Sequence, residues 1–376
     1  YHYAYEFRVM PFLNLSLYNF RNLKNDTIDL LAKEVYFVGE NGQGKSNLLE
    51  ALYFSAYGNS FRTNSDSEIV RKEESIFKIR AFFKTESITQ SISILYENSR
   101  KKVEKNGKRI SDRKELINTI PCVLFCHDDL SFAVGEPEKR RFFIDQSLSM
   151  YDVLYLDFLR RYKKVLKSRN AILKEHNYNL LDVYNKQLIE NGLMIQKKRK
   201  DMIFQFNEIF GKLYEQISGI EGLTINYEPS WKEIEDNVGS HFPSSQEIFE
   251  LLKSKEEHDK IMETTLSGPH RDRIRFMKDK KPFIPTASTG QRRLISLLLR
   301  TAQAVFYTKM TGKKPVLLMD DVMLELDPEK RKKLTNLLPE YDQMFCTFLP
   351  GEPYENYKHS TTKVYFLNKG EWSENA

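Results

Sequence analysis

Residues 35–54 read VYFVGENGQGKSNLLEALYF, and this stretch decides the fold. VYFV has the makeup of a short buried strand, GENGQGKS at 39–46 fits the phosphate-loop pattern G-x-x-x-x-G-K-S, and SNLLEALYFSAY reads as the helix that follows. Such a loop requires strand, glycines and helix in that order, because the glycines let the main chain wrap until successive N–H groups point at phosphate oxygens. Gly39, Asn41, Gly42 and Gly44 then form the cradle, and Lys45 supplies a point charge for the outer phosphates. Ser46 and Asn47 open the helix, Ser46 offering its hydroxyl to Mg²⁺. The alternative, an ordinary glycine-rich strand-to-helix turn, is the weaker reading once VYFV stands in front of it.

Two further stretches answer this loop. PVLLMDDVMLELD (315–327) is an apolar strand ending in carboxylates. Asp320 at the strand end is placed to hold Mg²⁺, and Asp321, facing differently, to polarise an attacking water. ASTGQRRLISLLLRTAQA (287–304) opens a helix, so Ser288, Gly290 and Gln291 present a hydroxyl and N–H groups at a positive dipole end. In ATP-binding-cassette chemistry a serine–glycine loop of this kind faces the phosphate bound by a second subunit. Lys45, Asp320, Asp321 and Ser288 are therefore the candidate catalytic residues, and ATP with Mg²⁺ the expected cofactors.

Composition sets the frame. With 376 residues the chain has room for two or three compact units, or for one domain carrying a large insertion. Hydrophobic content of 40% with 29% charged residues describes a globular protein with a real core. A net charge of +6 argues only weakly for a polyanionic partner. Cys122, Cys126 and Cys346 make no disulfide framework, which suits a reducing cytoplasm, and an apolar strand explains CVLFC better than a metal site with His127 does. No apolar run approaches the length of a membrane span, so no membrane partner is expected. The nine residues before Met10, YHYAYEFRV, match neither a signal peptide nor the fold, and read as a non-native extension or a matter of start-site choice.

Along the chain, FLNLSLYNF (12–20) alternates like an edge strand, and residues 76–110 are β-rich, with Asn106-Gly107 a two-residue hairpin signal. From about Glu138 to Gly219 the texture turns helical, as two long helices joined by a short turn. After about Thr265 the α/β grammar returns. The division expected is 10–138 and 266–376 as the two halves of one nucleotide-binding lobe, with 139–265 as an inserted helical lobe.

With these residues in view, the chain resembles the RecF family of bacterial recombination mediators, relatives of the SMC-type ATPases. The likeness runs over nearly the whole chain from Met10. It rests on LSLYNFRN, GENGQGKSNLLEALYF, NSFRT, DDLSFAVGEPEKRRFFID, YKKVLKSRNAILK, SGPHRDRI, STGQRRLISLLLRTAQA and DDVMLELD, in order and at the right spacing. PEKRRFFID and LKSRNAILK in particular separate such chains from transporter cassettes. The resemblance implies an α/β fold, an ABC/SMC-like ATPase head (lobe I) with an inserted α-helical lobe II. It also implies a slow, DNA-dependent ATPase that forms an ATP-dependent homodimer, binds double-stranded and gapped DNA and, with RecR and RecO, helps load RecA in the cytoplasm. Asp327 falls in the family's dimer-crossing loop, and Leu324 stands where the family usually has serine. Thr347 occupies the place of the transporters' switch histidine, and the counterpart of their glutamine loop falls near CHDDL, at Asp128 or Asp129. Another SMC-like head would need far more helical sequence between its nucleotide motifs, and a transporter cassette would need that histidine.

For DNA, basic residues cluster at 100–114, 160–169 and 196–200, with Arg62 apart on NSFRT. Lys and Arg contacts to phosphates give salt-sensitive, sequence-independent affinity. The hairpin carrying Lys105, Lys108 and Arg109 is the favoured contact, with Arg62 a separate candidate. Arg140 and Arg141 are expected to pair with acids between lobes.

Overall fold

The computed structural model describes residues 11–85, 88–117, 119–236, 239–322 and 328–374. Leu324, Asp327 and the segment before Met10 lie outside them. The chain divides into two compact units, one formed by residues up to Asp128 together with those from Gln303 onward, the other by Asp129–Ala302.

The first unit is built on two sheets. In one, strands Cys122–Phe125, Val316–Met319, Gln343–Phe348, Glu34–Val38 and Lys363–Asn368 run parallel in that order, and Glu371–Ser373 closes the edge antiparallel. A parallel strand covered on both faces has no polar side, which is why CVLF, VLLM and VYFV are unbroken apolar runs and every residue in them is buried. The pairings Met319↔Cys346 and Val38↔Phe348 bring the carboxyl ends of three strands together, so the loops that follow meet at one place.

The other sheet is antiparallel, ordered Thr27–Asp29, Phe12–Tyr18, Phe77–Thr85, Ile88–Glu97, Arg100–Lys105, Lys108–Arg109. Phe12–Tyr18 is therefore not the edge strand its alternation suggested. Alternation reports which face is buried and not which neighbours are present, and the true edge is three residues long. Asn106 and Gly107, at φ 52° and 74°, make the tight hairpin that the sequence signals. Helix Lys45–Tyr57 is apolar nearly all round, and Leu48, Leu52 and Phe54 join Phe12, Phe37, Phe77 and Phe345 in one core. Gln343, fully buried, fastens this core: its amide nitrogen lies 2.7–3.0 Å from the carbonyls of Phe12, Leu30 and Ala32, and its oxygen accepts from Phe12 N–H.

The second unit carries helices Pro137–Ser149, Val153–Lys174 and Leu181–Ser218. Asp152 caps the second by accepting from Tyr155 N–H at 2.9 Å. Arg169 bonds Asn185 at 2.8 Å, and Tyr162 lies beside Gly192, so the last two helices run antiparallel, as the long helical periodicity implies. A Cβ at Gly192 would sit 2.6 Å from the Trp231 ring. The unit is wider than the expected 139–265 and not purely helical. Strand Arg273–Lys278 pairs with Thr224–Glu228 and with Lys281–Pro282, which ties residues beyond 265 to this unit. At its centre Asp272 is fully buried and accepts from Gln196, Arg199, Tyr227 and Ser230 N–H. Arg199 spans Asp272 and Asp145. Asp272, the last residue of SGPHRD, is thus held as a buried structural anchor.

Candidate functional site

The phosphate loop lies where the three parallel strand ends converge. Gly39 N–H donates to Phe348 O at 3.1 Å, tying the loop to the neighbouring strand. Gly44 has φ 111°, and a Cβ there would meet Leu23 Cδ2 at 2.8 Å, so the loop needs glycine for backbone angle and for space. Asn22 braces the loop from outside, donating to Gly42 O at 3.2 Å and accepting from Asn47 at 2.7 Å. Gly370 lies against that same brace: its N–H donates to Gln43 O, and a Cβ on it would stand 1.8 Å from Asn22 O.

Lys45 is 4% exposed, and its ammonium donates to Gly39 O at 2.7 Å and Glu40 O at 3.3 Å. The charge is held inside the loop by carbonyls and forms no ion pair among the described residues. The N–H groups of Lys45 and Ser46, in the first turn of the helix, meet no main-chain acceptor among the described residues. A buried cation beside unpaired donors is a fitting receptacle for phosphate oxygens.

Ser46 Oγ donates to Asp320 Oδ1 at 2.7 Å across 274 residues of sequence, so the two oxygens expected at Mg²⁺ stand together. Burial pushes the Asp320 carboxyl above the ordinary carboxylate range. The Ser46 hydroxyl pulls it back, and the charge of Asp321 pushes it up again. A divalent cation would relieve that penalty, and Ser46 with Asp320 would hold it. Asp321 occupies left-handed backbone, φ 54°. Its N–H donates to Thr347 Oγ1 at 2.8 Å, and that hydroxyl lies 2.8 Å from Asp321 Oδ1 and 3.2 Å from Asp320 Oδ1. Thr347, 2% exposed, is the fixed point of the acidic pair.

Other members of the site had no legible signal in sequence. Glu50, fully buried one turn along the helix, holds Arg21 through two hydrogen bonds (2.9 and 2.7 Å), accepts from Ser60 at 2.5 Å and draws Arg62 to 3.5 Å. Glu352, its carboxyl raised by burial and by the charge of Asp321, accepts from Leu349 N–H at 2.6 Å. A cleft of about 420 Å³ opens beside Gly39, Glu40 and Gln43, walled by Tyr354 and Phe366.

Ser288, Gly290 and Gln291 belong to the second unit. They are not buried, and nothing lies within 4 Å of where a Gly290 Cβ would stand. Ser288 Oγ accepts from Gln291 N–H at 3.2 Å while Gln291 Oε1 accepts from Ser288 N–H at 2.7 Å, a reciprocal cap that fixes the loop.

Several expectations need correction. Of the two aspartates placed at the glutamine-loop position, Asp129 is held in a buried ion pair with Arg300 at 2.7 Å and Asp128 is exposed. Arg140 and Arg141 bond main-chain carbonyls of Ala133, Gly135 and Asp272 inside the second unit, and form no ion pair with an acid among the described residues. Arg62 is held at the nucleotide site by Asn47 (2.6 Å) and Glu50. Lys105 is half-buried on Thr119 Oγ1 at 2.9 Å, whereas Lys108 and Arg109 are exposed. In the 196–200 run, Lys198 pairs with Asp152, Arg199 with Asp145 and Asp272, and Lys200 with Glu233, leaving only Lys197 exposed.

Strand, glycine loop, helix and acidic strand end, joined in this geometry, define the nucleotide-binding head of a phosphate-loop ATPase of the ABC/SMC type. The family model described as RecF/RecN/SMC N terminal domain matches residues 12–373. Within that group the chain belongs to the RecF family. It is 49% identical over 354 residues to the DNA replication and repair protein RecF of Treponema pallidum (strain Nichols), covering 94% of this chain and 98% of that one. It is 33% identical over 362 residues to the protein of the same name from Carboxydothermus hydrogenoformans, covering 96% and 99%. A solved structure of the recombination mediator protein RecF with ATP, in the RecFOR pathway, superposes with a TM-score of 0.88 at 27% identity over the full length of both chains. An Smc head domain from Pyrococcus furiosus superposes at 0.54 with 18% identity, a likeness of fold alone.

Proposed function

We propose that this chain is an ATP-dependent DNA-binding recombination mediator whose nucleotide acts as a clasp between two copies. ATP and Mg²⁺ bind to the first unit, with Gly39, Asn41, Gly42, Gly44, Lys45 and Ser46 around the phosphates and Ser46 and Asp320 at the metal. The cation neutralises phosphate charge when bound. Lys45 exchanges its hold on the Gly39 and Glu40 carbonyls for phosphate oxygens, and Asp321, steadied by Thr347, orients water. The capped loop of Ser288, Gly290 and Gln291 then completes the site of the other copy, closing the dimer on duplex or gapped DNA. Asp321 reaches less far than a glutamate would, which suits slow hydrolysis that times release. In this reading the closed dimer is the form that RecR, with RecO, meets in loading RecA.

The observation that carries the proposal is the bond of Ser46 to Asp320 beside a buried Lys45 held by main-chain carbonyls, a half-site that a second copy would complete. Light scattering with and without ATP and duplex DNA tests it. Wild type is expected to double in mass with ATP, and Ser288→Arg to remain a monomer while binding ATP within about twofold of wild type. ATP-induced dimerisation that survives intact in Ser288→Arg sinks the trans contact.

A further inference from the structure

Resting on that DNA-binding reading, we infer that the outer face of helix Val153–Lys174 is a duplex-backbone contact surface, centred on Lys163, Lys164 and Lys167 with Arg161 and Lys174 at its margins. From Phe158 to Lys174 the helix contains seven cations, Arg160, Arg161, Lys163, Lys164, Lys167, Arg169 and Lys174, and no carboxylate. Arg169 alone of these is buried, on Asn185, Thr265 and Asp259; the other six are exposed. At 100° per residue, positions 160, 163, 164, 167 and 174 share one side of the helix. Tyr155, Leu159, Tyr162, Val165 and Leu173 turn to the core on the other. The cationic face extends about 21 Å from Arg160 to Lys174 at 1.5 Å per residue, long enough to follow several phosphates.

An exposed charge run is ordinarily a solvated face with its charges balanced by neighbours, and several lysines of this unit show that pattern. Lys198 pairs with Asp152, Lys200 with Glu233, Lys253 with Asp182 and Glu256, and Lys260 with Glu256 and Glu257. Arg161, Lys163, Lys164, Lys167 and Lys174 form no ion pair among the described residues. Uncompensated like charge along one helix face weakens that helix by a few tenths of a kcal/mol per pair. It is matched by a linear polyanion, whose counterions are released when the phosphates are met. Aromatic side chains do not interleave the exposed cations, which favours backbone contact over base stacking.

The test is the full-length K163Q/K164Q/K167Q variant, with K108Q/R109Q and K197Q as comparisons, titrated against a fluorescein-labelled duplex of mixed sequence over a KCl series with ATP present. All these positions are on the surface, and circular dichroism with a nucleotide-analogue titration confirms fold and ATP binding. The triple variant is expected to bind duplex roughly 10–100-fold more weakly near 0.15 M salt, and to lose about 2–3 from the slope of log K against log [KCl]. The loss should be equal for duplexes of different sequence, and K197Q should leave the slope unchanged. An unchanged slope in the triple variant, with wild type binding normally, overturns the surface and leaves the DNA-binding reading standing. Failure of wild type to bind duplex at low salt, with ATP bound, overturns that reading and this surface with it.

Discussion

Thr347 shows how much one hydroxyl decides. It accepts from Asp321 N–H and has a single proton to share between two carboxylates, so it fixes both the backbone and the side chain of the residue proposed to orient water. Thr347→Val keeps the shape and removes the bond, leaving the pair to repel without a shared donor. Single-turnover measurement is expected to show hydrolysis slowed about 10–100-fold, from the roughly 1–3 kcal/mol of an unmet buried polar group, with ATP affinity nearly unchanged. Thr347→Ser should recover most of the rate. Equal loss in both variants would point to packing instead. Lys45, Ser46, Asp320 and Asp321 were legible because their chemistry forces a spacing. Glu50, Asn22 and Glu352 were not, because each acts through a fold that sets residues far apart in sequence side by side.

Among elements, the turn at 369–370, between strands Lys363–Asn368 and Glu371–Ser373, has the plainest consequence. Gly370 donates to the phosphate loop at Gln43 and lies against Asn22, in left-handed backbone at φ 81°. Gly370→Ala puts a methyl group into Asn22 and must displace the brace under Gly42. A loss of at least about 1–2 kcal/mol is expected, from backbone strain and overpacking. A fluorescent ATP analogue should bind about tenfold more weakly with secondary structure intact, whereas unchanged affinity would show that the brace does not shape the loop. The buried parallel strands, the hairpin at Asn106-Gly107 and the long helices could be read from periodicity and turn chemistry alone. The sheet order could not, since VLLM and VYFV look alike wherever they pair. Nor did the charge run at 196–200 betray its fate: three of its four cations meet acids supplied by other parts of the second unit.

For the molecule as a whole, each unit has its own core, and that of the second is organised around buried charge. Arg199→Ala leaves Asp145 and Asp272 without their shared counter-charge, at an expected cost of about 3–5 kcal/mol. Urea unfolding followed by both intrinsic fluorescence and bound nucleotide should then separate, the second unit melting first while the nucleotide stays bound. A single shifted transition would show that the two units unfold as one. The interleaving of the first unit carries a consequence for its biogenesis. Strand Glu34–Val38, which ends in the phosphate loop, has as its only sheet neighbours Gln343–Phe348 and Lys363–Asn368. On the ribosome it therefore waits, apolar and unpaired, until almost the whole chain has been made. A chain cut short before residue 343 lacks both partners of this strand and leaves it as an unpaired, aggregation-prone edge.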